Sequence, residues 1–134
     1  HHTGNIKRCI EETYRVLKPG GHAYVMVYNQ FSYRQWEQWP LNTFNVLLRQ
    51  RGRAATVEQA AQYDTDLKGK AAPETVFSSI SQLKVLFSKY AHVSFAKENC
   101  SDLRWPLCRL ISRKMLLPFL GRALGLDIYI HAQK

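Results

Sequence analysis

Two adjacent imidazoles, His1 and His2, open the chain and are followed by Thr3. A neutral imidazole acts as a general base near pH 7, so the pair suits proton transfer. The Thr3-x-Asn5 context favours native sequence over a tag remnant or a fray. A second set, Tyr28, Asn29 and Tyr33, follows an apolar run that reads as a strand. Carboxyl ends of strands are where α/β folds place their sites, which makes these residues candidates for substrate contact. The alternative is structural, with Tyr28 in the core and Tyr33 packed on the next helix. Trp36, Trp39 and Phe44, at helical spacing, are either plain core or part of a lid over a small molecule, with Trp36 the substrate contact. Arg49, Arg51 and Arg53 either grip an anionic group or form a solvated turn.

Cys9, Cys100 and Cys108, with His22, His92 and His131, show no metal-ligand spacing, and no metal is expected. An odd number of thiols without a C-x-x-C pair reads as buried, reduced cysteines of a cytoplasmic protein.

The elements that must position these residues follow from periodicity. Ile6, Cys9, Ile10, Thr13, Tyr14 and Leu17 make one helical face, with Lys7, Arg8, Glu11, Glu12 and Arg15 opposite. Pro19 disfavours helix at Lys18, and Gly20-Gly21 free a tight turn, so the helix stops at about Leu17. In 22–29 both alternating sets are apolar or aromatic, the pattern of a strand covered on both faces. Residues 31–76 predict helices broken near Pro40 and a short helix over 57–63, introduced by the capping-box pair Thr56 and Gln59. Residues 64–73 read as a loop. A second capping box, Ser79 and Gln82, opens a helix carrying Ile80, Leu83, Leu86, Phe87 and Tyr90. Residues 92–98 alternate as a strand, 101–124 read as irregular helical segments with Pro106 and Pro118, and 127–132 as a closing strand.

The 134 residues suffice for one domain or part of one. A hydrophobic content of 46% with 16 aromatic residues argues against disorder, and the longest apolar run is far too short to span a bilayer. The formal net charge is +9, and residues 67–134 carry most of the excess, so an anionic partner is conceivable. The start at His1, without an initiator Met or a basic-then-apolar leader, is read as that of a processed product or a fragment.

Together, His1-His2-Thr3, the amphipathic helix, Tyr14-Arg15-Val16-Leu17-Lys18-Pro19-Gly20-Gly21 and the apolar strand resemble the middle of a class I S-adenosylmethionine-dependent methyltransferase. The resemblance implies an α/β fold, a partial Rossmann-like sheet whose last strand is antiparallel, with a helical lid or insertion at 31–76. It implies that 83–90, 93–97 and 126–132 are the family's fifth helix, sixth strand and seventh strand. It also implies a sheet ordered 22–29, 126–132, 92–98. The chain would then be the C-terminal part of one enzyme domain, spanning 1–134, with a small-molecule or lipid-like acceptor. By the same resemblance His1, His2 and Thr3 line the cofactor pocket, and the cofactor is S-adenosylmethionine. No G-x-G arrangement is present, so most of that cofactor site is expected on a missing N-terminal half, leaving this chain inactive alone. No catalytic residue is assigned. Strand 22–29 would be an open edge that invites self-association. The competing reading is a non-catalytic basic module for nucleic acid or anionic surfaces, ranked lower because Arg/Lys blocks interleaved with aromatics are lacking.

Overall fold

The structure is a computed structural model that describes residues 2–49, 53–54, 56–63, 74–100 and 113–134. Helix α1 (Ile6–Val16) is capped by Asn5, whose side chain accepts from the Arg8 N–H at 3.0 Å. It ends where Pro19 requires, with Leu17 as its C-cap. Gly20 then takes φ +74°, a left-handed turn that only glycine enters without strain. The Lys134 ammonium donates to the Leu17 carbonyl at 2.8 Å, a cation placed at the negative end of the helix dipole.

Strand β1 (His22–Asn29) follows, then α2 (Tyr33–Gln38) and α3 (Pro40–Arg49), with Pro40 at the first helical position. A two-residue strand β2 (Arg53–Ala54), helix α4 (Val57–Tyr63) and strand β3 (Val76–Ser78) complete this region. The capping box at Thr56 forms as its spacing predicts, with reciprocal bonds to Gln59 of 3.1 and 3.3 Å. Next come α5 (Ile80–Leu86), with the second capping box on Ser79, and β4 (His92–Glu98). Helix α6 (Arg113–Leu116) runs through a π-helical turn, Leu117–Gly121, into α7 (Arg122–Leu124). The wide turn contains Pro118, whose missing N–H breaks the regular helical ladder. Strand β5 (Asp127–Gln133) closes the order. The expected loop at 64–73, and residues 101–112 with Pro106 and Cys108, lie outside the described residues.

The strands form one mixed sheet in the order β2-β3-β1-β5-β4. β5 runs antiparallel between β1 and β4, pairing Val25 with Ile130 and Phe95 with Ile130 at mid-strand. β3 joins β1 in parallel, but only at Tyr28 and Asn29. The α/β class and the order of the three long strands thus agree with expectation. The open edge needs correcting: β3 closes its last two positions, and among the described residues no strand pairs there with His22 to Val27. The insertion at 31–76 is not purely helical either, since β2 and β3 fall inside it or at its boundary. Strands of two and three residues are too short to show a period-2 pattern.

The core lies on one face of the sheet. Ala23 and Val27 of β1 and Ile128, Ile130 and Ala132 of β5 pack against Ile10 of α1, Leu83 of α5, Phe87 and Tyr90. The Tyr90 hydroxyl donates to the Ile10 carbonyl at 3.2 Å, tying α5's exit to α1. Both helices therefore cover the same face. The expectation that β1 is covered on both faces is overturned: Tyr24 is 78% exposed, and Met26 and Tyr129 are exposed beside it. Tyr24 stacks on His131 with ring centroids 4.6 Å apart, and His131 hydrogen-bonds His22 at 2.9 Å. Apolar character on both strand faces reports side-chain chemistry, and α1 and α5 can cover only one. The thiols are divided: Cys100 is buried, but Cys9 is exposed, against the expectation of a buried thiol.

Candidate functional site

The carboxyl end of β1 turns into α2 through residues 29–32, and Asn29 builds that turn. It is 1% exposed; its amide nitrogen donates to the Gly125 carbonyl at 2.8 Å and its oxygen accepts from the Phe31 N–H at 3.0 Å. Its backbone N–H reaches the Leu126 carbonyl at 2.8 Å. Gly125 itself is fixed as glycine by other neighbours, since a Cβ there would collide with the Gly121 and Glu98 carbonyl oxygens. Asn29, expected to touch substrate, thus has both ends of its side chain committed to bracing. Tyr33 and Gln35 of α2 are buried, and Trp36 and Trp39 are half-buried.

Above the turn stands a wall of rings. Tyr28 lies 4.9 Å from Tyr63 and 6.3 Å from Phe77, and Tyr63 meets Phe77 edge-on at 4.9 Å. The Arg34 guanidinium sits 4.8 Å over the Tyr63 ring. The Tyr63 hydroxyl hydrogen-bonds Ser32 Oγ at 2.8 Å and accepts from Gln35 Nε2 at 3.5 Å. Burial pushes the Tyr63 phenol above its ordinary value of 10.0, more than its hydrogen bonds and Arg34 pull it down. Tyr63 is therefore a neutral donor at physiological pH and no base. Behind the wall, Gln59 Nε2 donates to Gln35 Oε1 at 3.3 Å and the Thr43 hydroxyl to the Gln35 carbonyl at 2.9 Å, which locks α2, α3 and α4 together.

His2 lies against this wall, 6.0 Å from the Tyr28 ring centroid and edge-on. Its Nδ1 is 2.8 Å from the Glu74 carbonyl oxygen. A carbonyl can only accept, so Nδ1 is the donor of this bond. Thr3 is exposed nearby, and His1 lies outside the described residues. The structure therefore brings His2 and Tyr28 together, separates Asn29 and Tyr33 from solvent, and adds Tyr63, Phe77, Arg34 and Ser32. The spacing of Thr56 and Gln59 predicts the helix that ends at Tyr63. Nothing local predicts that its last ring meets β1, because that is a tertiary contact.

The strand-end N–H groups of Asn29, Gln30 and Phe31 are already bonded within the chain, and no glycine-rich loop offers others. Among the described residues, no group of three or more His, Cys, Asp or Glu side chains could hold a metal ion, and no helix is long and apolar enough to cross a membrane. No family model, curated protein or solved structure matches the chain.

Proposed function

We propose that this chain forms the acceptor side of a cytoplasmic class I S-adenosylmethionine-dependent methyltransferase that acts on a small-molecule or lipid-like acceptor. One observation carries the reading. β5 lies antiparallel between β1 and β4, and β1 itself directly follows helix α1 and the Lys18-Pro19-Gly20-Gly21 turn, which is the arrangement that the resemblance implies. The chain's own residues then divide the work. Tyr28 and Tyr63 offer an aromatic surface to the acceptor, with the His2 ring beside Tyr28 and Phe77 buried behind. Asn29 holds the strand end that carries Tyr28. The cofactor is bound mainly by a segment that carries the glycine-rich loop absent here, so this polypeptide alone is inactive.

Isothermal titration of this chain with S-adenosylmethionine is expected to show no binding tighter than millimolar; a micromolar constant overturns the divided site. The coding sequence upstream of His1 is expected to encode a glycine-rich loop about 70–100 residues earlier. A polypeptide extended to include it should transfer labelled methyl groups. If the extended protein neither binds the cofactor nor transfers methyl, the reading is wrong.

A further inference from the structure

We propose that the outer face of the α6–α7 segment is a docking surface for an anionic lipid membrane. Residues 113–124 run as one continuous helical stretch that is apolar on two sides. On the inner side Gly121 is buried and Leu117, Leu120 and Leu124 are half-buried, with the i, i+3, i+4, i+7 spacing of one helical face. The stretch is pinned at its C-terminal end. There the Lys97 ammonium of β4 donates to the Ala123 carbonyl at 3.0 Å, and the Leu126 N–H donates to the Asn99 carbonyl at 3.0 Å. On the outer side stand Met115, Pro118 and Phe119, with Met115 67% and Phe119 79% exposed. A helix packed on a protein ordinarily turns a polar face outward. Scattered exposed apolar residues are normal, but three neighbours along one short stretch mark a contact surface.

Charge on this same surface identifies the occupant. Lys114 and Arg122 are exposed to either side of Phe119 in the stretch, and among the described residues neither forms an ion pair. No acidic residue occurs from Arg113 to Leu126. The acidic neighbours lie past the C-terminal end, where Asp127 is buried and bonded to Asn99, and the Glu98 backbone lies against Gly125. Met115 and Phe119 project from the helix surface, and lipid chains accept such side chains without a matching pocket. Long cationic side chains keep their charge at headgroup level while their stems lie along apolar surface. Projecting apolar residues between unpaired cations are the composition of segments that lie in the plane of a bilayer interface. The contact is with the membrane surface, since residues 113–124 are too few to cross a bilayer. Gly125, next in the chain, gives its carbonyl to the Asn29 amide, which ties the docked segment to the carboxyl end of β1. The docking itself does not depend on the methyl-transfer reading.

The test is co-sedimentation of this polypeptide with large unilamellar vesicles of phosphatidylglycerol and phosphatidylcholine, and with vesicles of phosphatidylcholine alone. Binding to the anionic vesicles is expected, weakening with salt and with loss of the anionic lipid. A Met115→Gln/Phe119→Gln variant should bind at least about tenfold more weakly. A Lys114→Gln/Arg122→Gln variant should lose about fivefold per cation removed. All four side chains are exposed, so far-UV circular dichroism of both variants should match the wild type. A Phe44→Gln/Leu48→Gln variant, altered on the exposed side of α3, should bind like the wild type. Absence of vesicle binding by the wild type overturns the proposal. So does a Met115→Gln/Phe119→Gln variant that binds like the wild type, which would leave a plain electrostatic surface that nucleic acid could equally satisfy. An α3 variant that loses as much as the Met115→Gln/Phe119→Gln variant also overturns it, because the binding would then have no particular face. None of these results touches the cofactor titration or the methyl-transfer assay.

Discussion

Asn29 shows how one side chain can decide whether a strand end is usable. Its amide satisfies the Gly125 carbonyl and the Phe31 N–H at a position shut off from water. Asn29→Ala should cost about 1–3 kcal/mol, because those backbone groups lose their partner in a buried place. Urea denaturation measures this, and an unchanged midpoint would contradict the bracing role. Tyr63 makes a different prediction. Its phenol titrates above its ordinary value of 10.0 in the folded chain, chiefly through burial, so the folded state holds the proton more tightly than the unfolded state. Its contribution to stability is complete below about pH 10 and is lost as pH rises through the raised value. Alkaline unfolding of Tyr63→Phe should therefore show a shallower loss of stability above about pH 10 than wild type. Identical alkaline profiles would refute the assignment. Neither role was visible in the residue types: Asn29 looked like a substrate contact because it follows an apolar strand, and Tyr63 looked like an ordinary helix end.

At the scale of elements, helix boundaries were legible where a local bond defines them. Pro19 and Gly20 stop α1, Thr56 with Gln59 starts α4, and Ser79 with Gln82 starts α5. Each signal acts within four residues, so it survives without knowledge of the fold. Ser79→Ala should remove the α5 cap at a cost of about 0.5–2 kcal/mol, read from thermal or urea unfolding. An effect within error would mean that tertiary packing alone sets the start of α5. Periodicity was less informative about surroundings. The 22–29 pattern identified a strand but could not say whether a second layer covers Tyr24 and Met26. The 40–49 pattern identified a helix but not that its polar side faces inward. Both depend on what packs alongside, α1 and α5 in one case and α2, whose Gln35 carbonyl holds Thr43, in the other. β2 and β3 were missed because two or three residues define no period.

Across the whole molecule, the order of the three long strands follows from the resemblance, and the polarity of the assembled sheet does not. All of the core described around α1 and α5 lies on one side, while the other side shows Tyr24, Met26 and Tyr129 next to a β1 edge that, among the described residues, has no paired strand from His22 to Val27. Such an edge favours pairing with another chain. Sedimentation velocity from micromolar to near-millimolar concentration should reveal reversible association, and a single monomer boundary throughout would argue against it. The position of β5 has a further consequence. This strand is paired along its length on both sides, yet it comes after both neighbours in the chain, and its contacts with β1 join residues 99 to 111 positions apart. Closing so large a loop is a slow step, so folding of this sheet should be limited by the search for those pairings. Before β5 is in place, β1 keeps only its short pairing with β3, and β4 has no strand partner among the described residues. The two long strands on either side of β5 therefore become one sheet only through it.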